Sequence, residues 1–446
     1  MPDPVLIWLI GLALVGGIVG PFVVARRRRE RAARAAAAKA ERAGLHQPAS
    51  LHPVIDPERC LGCGACTAVC PEGDVLALVG AQAQVIAPAR CVGHGRCERA
   101  CPTDAISLVF GTATRGVELP RVRGDYMTNV DGLYIVGELG GMGLVRNAVE
   151  QGRQCAEGIV KAIRAQGPAS EMREVAVVGA GPAGLSAAAT LGAADVPYVV
   201  LERATDLGGT VRQYPRRKLV MTQPFEIPGY GRLDATEISK ESLVELWAEV
   251  ADAAGVEDQT RLGMRVTNIT RVDGGFRIEG EGGEPVEARR VVLAIGRRGT
   301  PRTLGVPGDG QGHVVYALME PEAYAGRSCL VVGGGDSAVE AAVALAEEGA
   351  EVRLSYRKPA ITRAKAANVS RLAQAVERGA ITPLWASTVE AIGADTARLD
   401  TPGGEVVVPA DDVFVLIGGE PPTPFLERCG IVLDTHFGVP RIGSEG

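Results

Sequence analysis

The chain has 446 residues, which is enough for two or three domains with sizeable cores. Its formal net charge of −6 at pH 7 argues against a nucleic-acid-binding protein. Of its ten cysteines, most lie between Cys60 and Cys101, whereas Cys155, Cys329 and Cys429 are scattered. Such local clustering indicates metal ligation in a reducing compartment and not the disulfide framework of a secreted protein.

The N-terminal segment 5–25 is uncharged, apolar and long enough to span a hydrocarbon core of about 30 Å. A run of arginines, Arg26 to Arg29 and Arg31, follows it, so the positive-inside tendency keeps this side in the cytoplasm. A cleaved signal peptide is the alternative, but the segment lacks a basic start and a small-residue cleavage site. We therefore predict a single-pass helix in the cytoplasmic membrane, with the catalytic part in the cytoplasm.

The next segment, 26–51, is rich in Ala and Arg in its first part and is predicted to be a basic helical linker. Its cationic side chains are suited to anionic lipid headgroups. A solvated spacer helix explains the same composition equally well, and both interpretations stay open.

Two cysteine runs follow the linker. The first has the spacing C-x2-C-x2-C-x3-C-P from Cys60 to Pro71, and the second repeats it from Cys91 to Pro102 with His94 in place of one cysteine. In such a run three closely spaced thiolates bind one iron–sulfur cubane, and the fourth cysteine ligates the other cluster. Zinc motifs pair C-x2-C units instead, which makes a structural zinc site a weak alternative.

The two runs resemble those of the bacterial two-cluster ferredoxins, and the resemblance covers residues 52–112. It implies a small α+β domain with two [4Fe-4S] clusters. Carried over by position, the ligands of cluster one are Cys60, Cys63, Cys66 and Cys101. Those of cluster two are Cys70, Cys91 and Cys97, with His94 as the candidate fourth ligand.

The role of His94 has three interpretations. An imidazole can ligate iron, and a neutral ligand in place of a thiolate should raise the cluster potential. The alternatives are a three-iron cluster, or a fourth site filled by water with His94 pointing away. We favour ligation.

A first dinucleotide-binding motif is a short apolar strand that runs into Gly179, Gly181 and Gly184 and then into an Ala-rich helix. Glycines at this spacing let the backbone approach a pyrophosphate at the helix N-terminus. The next strand ends at Glu202, which is placed to accept a ribose hydroxyl hydrogen bond. The glycine pair Gly208–Gly209 follows this acid, as in many FAD enzymes.

A second motif carries Gly333 and Gly335, followed by Asp336 and Ser337 at the start of a helix. Ala338 occupies the third glycine position, as the pattern permits. No acid follows the next strand, and the basic residues Arg357, Lys358 and Arg363 stand there instead. Basic residues favour the 2′-phosphate of NADP, so we expect NADPH rather than NADH, against a merely solvated basic loop.

A third element, from Thr128 through Gly137 and Glu138 to Ala148, looks like the segment of thioredoxin-reductase-like flavoproteins in which an acid binds the ribityl chain. With the two glycine motifs, this resemblance covers residues 124–446. It implies that Glu138 replaces the usual Asp, and that the fold is α/β with two Rossmann-like domains. In that family the element closes the chain, whereas here it precedes the first glycine motif, so we predict a circular permutation.

The chain departs from the thioredoxin reductases because it has no C-x-x-C outside the cysteine runs, which excludes their dithiol chemistry. Some members of the family lack the dithiol and act as ferredoxin–NADP reductases. The resemblance therefore implies hydride transfer between NAD(P)H and FAD, and an iron–sulfur relay to or from a small redox protein or another electron carrier. No protein residue is assigned a catalytic role. A membrane-bound redox sensor and a quinone reductase are the alternatives, and a homodimer is compatible with the sequence.

The predicted domain order starts with a transmembrane helix (5–25), the linker (26–51) and the ferredoxin domain (52–112). The FAD-binding domain is assigned to 113–307 and 411–446, with 113–165 as the permuted segment. The NAD(P)H-binding domain is assigned to 308–410.

Overall fold

The computed structural model describes residues 4–42, 51–73, 75–91, 93–113, 116–141, 143–166, 173–214, 218–222, 224–235, 237–297 and 299–440. The chain divides into two compact units. The ferredoxin unit contains the chain up to Val117 together with the C-terminal residues from His436. The reductase unit contains residues Glu118–Thr435.

The ferredoxin unit begins with a single long helix. Its helices are α1 (Pro4–Arg42), α2 (Ala65–Val69) and α3 (Arg96–Arg99). The strands His52–Ile55 and Ile106–Phe110 pair antiparallel, and Leu76–Val79 forms a hairpin with Gln82–Val85. Each short helix follows a cysteine loop, so the two halves of the domain repeat one plan.

Helix α1 joins the predicted membrane segment 5–25 to the predicted linker without a break, and so confirms a helix over 26–42. Residues 43–50 of the linker lie outside the described part of the chain. Within the described residues, no helix meets the length and hydropathy expected of a membrane span. Several side chains of segment 5–25 are themselves outside the described set.

The C-terminal strand Val439–Pro440 adds to the ferredoxin sheet by pairing with Val109 and Phe110. The aromatic rings of Phe110 and His436 also lie 6.3 Å apart. The predicted assignment of the whole segment 411–446 to the FAD-binding domain is therefore wrong at its end. Strand pairing, which no local motif signals, places these last described residues in the ferredoxin unit.

The first half of the reductase unit is built on a seven-stranded sheet. Its parallel part contains the glycine-motif strand Arg173–Val178 between Tyr198–Leu201 and Val286–Leu293. The strand Leu133–Ile135 also pairs parallel with Val286–Leu293. The remaining strands are Thr260–Arg261, Arg265–Val272 and Gly275–Glu281. The sheet is packed against the helices α4 (Val145–Gln166), α5 (Pro182–Ala193) and α6 (Lys240–Ala253).

The second half contains a parallel five-stranded sheet. Its strands, in spatial order, are Val314–Val315, Asp412–Val415, Ser328–Val332, Glu351–Tyr356 and Ile381–Trp385. Helices α7 (Asp336–Glu347) and α8 (Ala366–Glu377) pack on it, and a three-stranded antiparallel sheet of Thr388–Ile392, Thr396–Thr401 and Gly404–Pro409 covers its other side. Because Asp412–Val415 pairs with Ser328–Val332, the predicted domain boundary at 411 is too early.

Short elements complete the reductase unit. The chain passes between its two halves at the paired strands Thr300–Pro301 and Gly419–Glu420. Helix α9 (Thr423–Arg428) follows the return. The remaining paired strands are Val117–Pro120 with Leu433–His436, Leu219–Met221 with Glu237–Ser239, and Phe225–Ile227 with Gly231–Leu233.

Candidate functional site

The first glycine motif forms a tight turn between the strand Arg173–Val178 and helix α5. Gly179 has φ +105°, and a Cβ at this position would lie 2.6 Å from the carbonyl oxygen of Ala294. A Cβ on Gly184 would lie 1.8 Å from the carbonyl oxygen of Gly179. The first glycine thus permits the turn, and the third lets the helix pack against it, as a dinucleotide-binding fold requires.

The Gly208–Gly209 pair packs against this turn. The backbone N–H of Gly208 donates to the carbonyl of Ala180 at 2.9 Å. A Cβ on Gly209 would lie 2.9 Å from the Cα of Gly181. Two glycine-rich backbones therefore approach each other closely, and the lack of side chains between them leaves room for a pyrophosphate to approach.

Glu202 lies at the same place and is buried. Its carboxylate accepts hydrogen bonds from the backbone N–H of Ala180 at 2.6 Å and from that of Ala204 at 2.9 Å. The predicted ribose acceptor therefore also holds the glycine turn. Each carboxylate oxygen has a second lone pair, so Glu202 keeps the capacity to accept from a ribose hydroxyl.

A cavity of about 510 Å³ opens above this turn. Gly179, Gly181, Glu202 and Gly209 line it from one side, and Gly137 and Glu138 line it from the other. The predicted third element is thus brought beside the first glycine motif. The volume lies in the range of cofactor pockets, and the glycine turn with a buried acid fits the ADP half of FAD.

Helix contacts fix the third element in this position. The backbone N–H of Gly137 donates to the buried side chain of Gln151 at 2.7 Å. A Cβ on Gly152 would lie 2.2 Å from the carbonyl oxygen of Ala183, so α4 crosses α5 at close range. The hydroxyl of Ser186 donates to the carbonyl of Val149 at 2.7 Å across this crossing.

Sequence reasoning missed several residues of this site. Gln151 has no motif of its own, although its position on the helix after Glu138 was available as a signal. Tyr214, Met264, Phe425 and Arg428 also line the cavity, and they come from segments that are distant in sequence. Only the folded chain brings them together.

The second glycine motif repeats the geometry of the first. Gly333 has φ +144°, and a Cβ there would lie 2.3 Å from the carbonyl oxygen of Leu416. A Cβ on Gly335 would meet no other atom of the described residues within 4 Å, so the start of α7 is open to a ligand. Ser337 is exposed on the first turn of α7. This arrangement fits a second dinucleotide.

The predicted 2′-phosphate residues lie after the strand Glu351–Tyr356. Arg357 and Arg363 are exposed, and Lys358 is half-buried. Asp336 is hydrogen-bonded to the end of the same loop. Its carboxylate accepts hydrogen bonds from the backbone N–H of Lys365 at 2.7 Å and from the side chain of Asn368 at 2.8 Å. The glycine motif and the loop that contains Arg363 are therefore connected through Asp336.

The four cysteines that were assigned to cluster one line one pocket in the ferredoxin unit. The backbone N–H of Ala83 donates to Sγ of Cys60 at 3.4 Å, and that of Ala105 donates to Sγ of Cys101 at 3.2 Å. Burial raises the pKa of Cys101, but hydrogen bonds from Thr103 and Ala105 outweigh it and lower the pKa overall. Thiolates stabilised by N–H donors fit an iron–sulfur cluster.

The cysteines that were assigned to cluster two are close enough to influence one another's ionisation. Burial, followed by the nearby charges of Cys70 and Cys91, raises the pKa of Cys97 to about 12, and burial raises that of Cys91 to about 11. Buried thiols so reluctant to ionise become thiolates when a cation binds them. The assignment of these three cysteines to a cluster therefore still depends on their spacing in the sequence, with His94 on the adjoining loop.

The glycines that flank Cys63 and His94 have similar backbone angles. Gly62 and Gly64 flank Cys63 with φ of +67° and +78°, and Gly93 and Gly95 flank His94 with φ of +79° and +71°. His94 therefore occupies in its loop the position that a ligating cysteine occupies in the other. This correspondence agrees with the spacing in the sequence.

The remaining cysteines, Cys155, Cys329 and Cys429, are all buried and lie in the reductase unit. Among the described residues that line the cavity above the Gly179 turn there is no cysteine. Burial raises the pKa of all three thiols, to about 12 for Cys329 and about 11 for Cys429. They have the environment of core residues.

Each of the two units matches a known protein family. Residues 176–444 match the family "Pyridine nucleotide-disulphide oxidoreductase", and residues 52–102 match "4Fe-4S dicluster domain". The chain is 35% identical to a ferredoxin–NADP reductase of Ignicoccus hospitalis over 56% of this chain and 78% of the relative. It is 29% identical to that of Thermus thermophilus over 60% and 79%.

Among solved structures, the bacillithiol disulfide reductase of Staphylococcus aureus superposes with a TM-score of 0.52 at 22% identity. The superposition covers 62% of this chain and 86% of that protein, and it shows a shared fold. The family match, the two dinucleotide-binding folds and the relatives together identify the reaction class. The chain belongs to the pyridine nucleotide-disulphide oxidoreductase family and is an FAD-dependent NAD(P)H oxidoreductase that carries a 4Fe-4S dicluster domain.

Proposed function

We propose that this protein transfers electrons between NADPH, FAD and two [4Fe-4S] clusters bound by its own ferredoxin unit, and exchanges them with a small redox carrier. The observation that supports this most is the lack of a cysteine among the described residues of the flavin cavity. Without a dithiol beside the flavin, electrons need another acceptor. The chain supplies one in its cysteine runs.

The names of the relatives agree with this proposal, since the Ignicoccus and Thermus proteins are ferredoxin–NADP reductases. Bound FAD would exchange a hydride with the nicotinamide and single electrons with an iron–sulfur cluster. The residues of this chain have positioning roles. Gly179, Gly181 and Glu202 would hold the ADP half of FAD, and Glu138 would bind its ribityl chain.

Recognition of the second dinucleotide is proposed to depend on Gly333, Gly335 and the basic loop. Arg357, Lys358 and Arg363 would bind the 2′-phosphate of NADPH through charge-assisted hydrogen bonds. The exposure of both arginines and the contact of Asp336 with their loop support this proposal.

We also propose that the segment 5–25 anchors the protein in the cytoplasmic membrane, with both units in the cytoplasm. The uncharged sequence and the arginines that follow support the proposal. Membrane fractionation of the full chain tests it. Protein that stays in the membrane pellet at high salt and high pH supports an anchor, and complete release opposes it.

A circular permutation is proposed for the reductase unit. The family match begins at residue 176, yet Gly137 and Glu138 from the preceding segment line the flavin cavity. The two ends of the unit meet, because Arg121 forms a two-bonded ion pair with Asp434 at 2.7 and 2.8 Å. A circular permutation also predicts that Gly446 lies near residues 121–125, but Gly446 is outside the described part of the chain.

Anaerobic steady-state oxidation of NADPH, with a one-electron dye compared with a quinone analogue, tests the proposed function. Faster turnover with the one-electron dye supports it. Preference for the quinone would favour a quinone reductase instead. A protein that binds flavin and clusters but oxidises NADPH with neither acceptor would favour a redox sensor.

A further inference from the structure

Helix α1 has one face that packs on the ferredoxin hairpin. Glu30, Ala33, Ala37 and Ala40 recur at intervals of three and four residues and therefore share a face. Ala33 and Ala40 are buried, and Ala33 and Ala37 belong to an apolar cluster with Val79 and Ile86. These small side chains allow helix α1 to pack closely on the hairpin. The basic segment is therefore neither a solvated spacer on all sides nor wholly available to lipid.

Glu30 extends the same face to the tip of the hairpin. Its Oε1 accepts a hydrogen bond from the backbone N–H of Gly80 at 3.2 Å. The same oxygen pairs with Arg34 at 2.6 Å, one helical turn along. The Glu30 side chain is only 24% exposed, whereas that of Arg34 is 66% exposed. The Glu30 carboxylate is thus held near the hairpin, whereas Arg34 extends into solvent.

The hairpin tip is a two-residue turn in which both residues are left-handed. Gly80 has φ +61° and Ala81 has φ +66°. Such turns match the twist of a hairpin, but a non-glycine residue at the second position is disfavoured. A backbone conformation of this kind persists only where its surroundings hold it. The hydrogen bond that Gly80 donates to Glu30 holds Gly80, the neighbour of Ala81.

This turn lies directly on the loop of cluster one. A Cβ on Gly62 would lie 1.8 Å from the carbonyl oxygen of Ala81, so the two backbones are in contact. Two residues further on, the N–H of Ala83 donates to Sγ of the ligand Cys60 at 3.4 Å. The hairpin therefore both covers the loop and supplies a hydrogen bond to one of its sulfurs.

We propose that Glu30 is a positioning residue for cluster one: it fixes the Gly80–Ala81 turn, which sets the packing on Gly62 and the hydrogen bond to Cys60. N–H donors to cluster sulfurs stabilise the more negative, reduced cluster and raise its potential. The N-terminal helix thereby tunes one cluster of the pair. The inference is based on the proposed assignment of Cys60, Cys63, Cys66 and Cys101 to cluster one.

The test is a redox titration of the full chain, followed by electron paramagnetic resonance, in which cluster two serves as the internal reference. Glu30→Ala should shift the midpoint of cluster one to a more negative potential and leave cluster two unchanged. Glu30→Gln keeps an oxygen acceptor for Gly80 and should restore the wild-type value. Arg34→Ala removes the ion pair alone and should leave both potentials unchanged.

Hydrogen exchange of residues 79–83 supplies a readout that does not depend on turnover. Faster exchange in Glu30→Ala, together with the selective shift, supports the proposal. Unchanged potentials and exchange in Glu30→Ala overturn it, and so does an equal shift of both clusters. A wild-type protein without a cluster-one signal would instead refute the ligand assignment, so the two failures are distinguishable.

Discussion

The buried carboxylate of Glu202 accepts a 2.6 Å hydrogen bond from the backbone N–H of Ala180, at the centre of the first glycine turn. Its other oxygen accepts from Ala204 at 2.9 Å. One side chain therefore joins the turn to the end of the next strand. The residue that was predicted to bind a ribose therefore has a structural role in this pocket.

Glu202→Ala should reduce both the thermal stability of the reductase unit and its flavin content. The substitution leaves two backbone N–H groups without their acceptor, at a cost of about 1–3 kcal/mol for each group that stays buried. Flavin per chain and the unfolding midpoint are the measurements. Glu202→Gln keeps one acceptor and should lie between wild type and the alanine variant. An alanine variant with full flavin and an unchanged midpoint would contradict this role.

Arg357→Ala combined with Arg363→Ala should abolish the preference for NADPH. A hydrogen bond to a charged group contributes about 1.5–3 kcal/mol, so each lost phosphate contact should cost about tenfold or more in kcat/KM for NADPH. The value for NADH should change little. Arg371→Ala removes an exposed arginine of the same fold that pairs with Glu347, and is the matched control. An unaltered cofactor ratio in the double variant would mean that the loop is only solvated.

His94→Cys should keep cluster two and lower its potential, because an anionic thiolate replaces a neutral imidazole. His94→Ala should convert it to a three-iron cluster, detected by electron paramagnetic resonance. Cys63 stands at the corresponding loop position, so Cys63→His is the reciprocal variant and should raise the potential of cluster one. Identical spectra of wild type and His94→Ala would show that His94 does not ligate iron.

Alkaline pH should destabilise the reductase unit through its buried thiols. Burial raises the pKa of Cys329 to about 12 and that of Cys429 to about 11, from 9.0. The folded state therefore retains these protons more tightly. The contribution of these two thiols to the free energy of unfolding is fully present below about pH 9. Above that pH it falls, by up to about 1.4 kcal/mol per pH unit for each thiol.

Unfolding followed by flavin release between about pH 8 and pH 10 measures this loss. The double variant Cys329→Ala, Cys429→Ala should be less stable at neutral pH, because the core loses volume, but should show a shallower decline with rising pH. Equal slopes in both proteins would assign the alkaline loss to other groups.

Local motifs predicted the parts of the fold that depend on a few adjacent residues. The turn at Gly179 and the loop at Cys60 need particular backbone angles and ligand spacing, and both are visible in the sequence. The expectation that Glu138 lies beside the Gly179 turn came from the resemblance of its segment to thioredoxin-reductase-like flavoproteins and from the circular permutation that this resemblance implies. The structure places both in one cavity.

What the sequence did not predict depends on pairing between distant residues. The strand Val439–Pro440 joins the ferredoxin sheet, and Asp412–Val415 joins the sheet of the second glycine motif. A short apolar strand could join the sheet of either adjacent domain, and its sequence alone does not decide between them. The docking of α1 through Ala33 was hidden for a similar reason, because alanines at helical spacing are equally suited to a solvated helix.

The central claim, that one chain passes electrons between its flavin and its clusters, is tested most directly by rapid mixing with NADPH in the absence of oxygen. Flavin absorbance and the cluster signal are followed at several protein concentrations. The account predicts flavin reduction followed by electron transfer to the clusters at a rate that does not change with protein concentration. Clusters that stay out of redox equilibrium with the flavin, or a rate proportional to protein concentration, would contradict it.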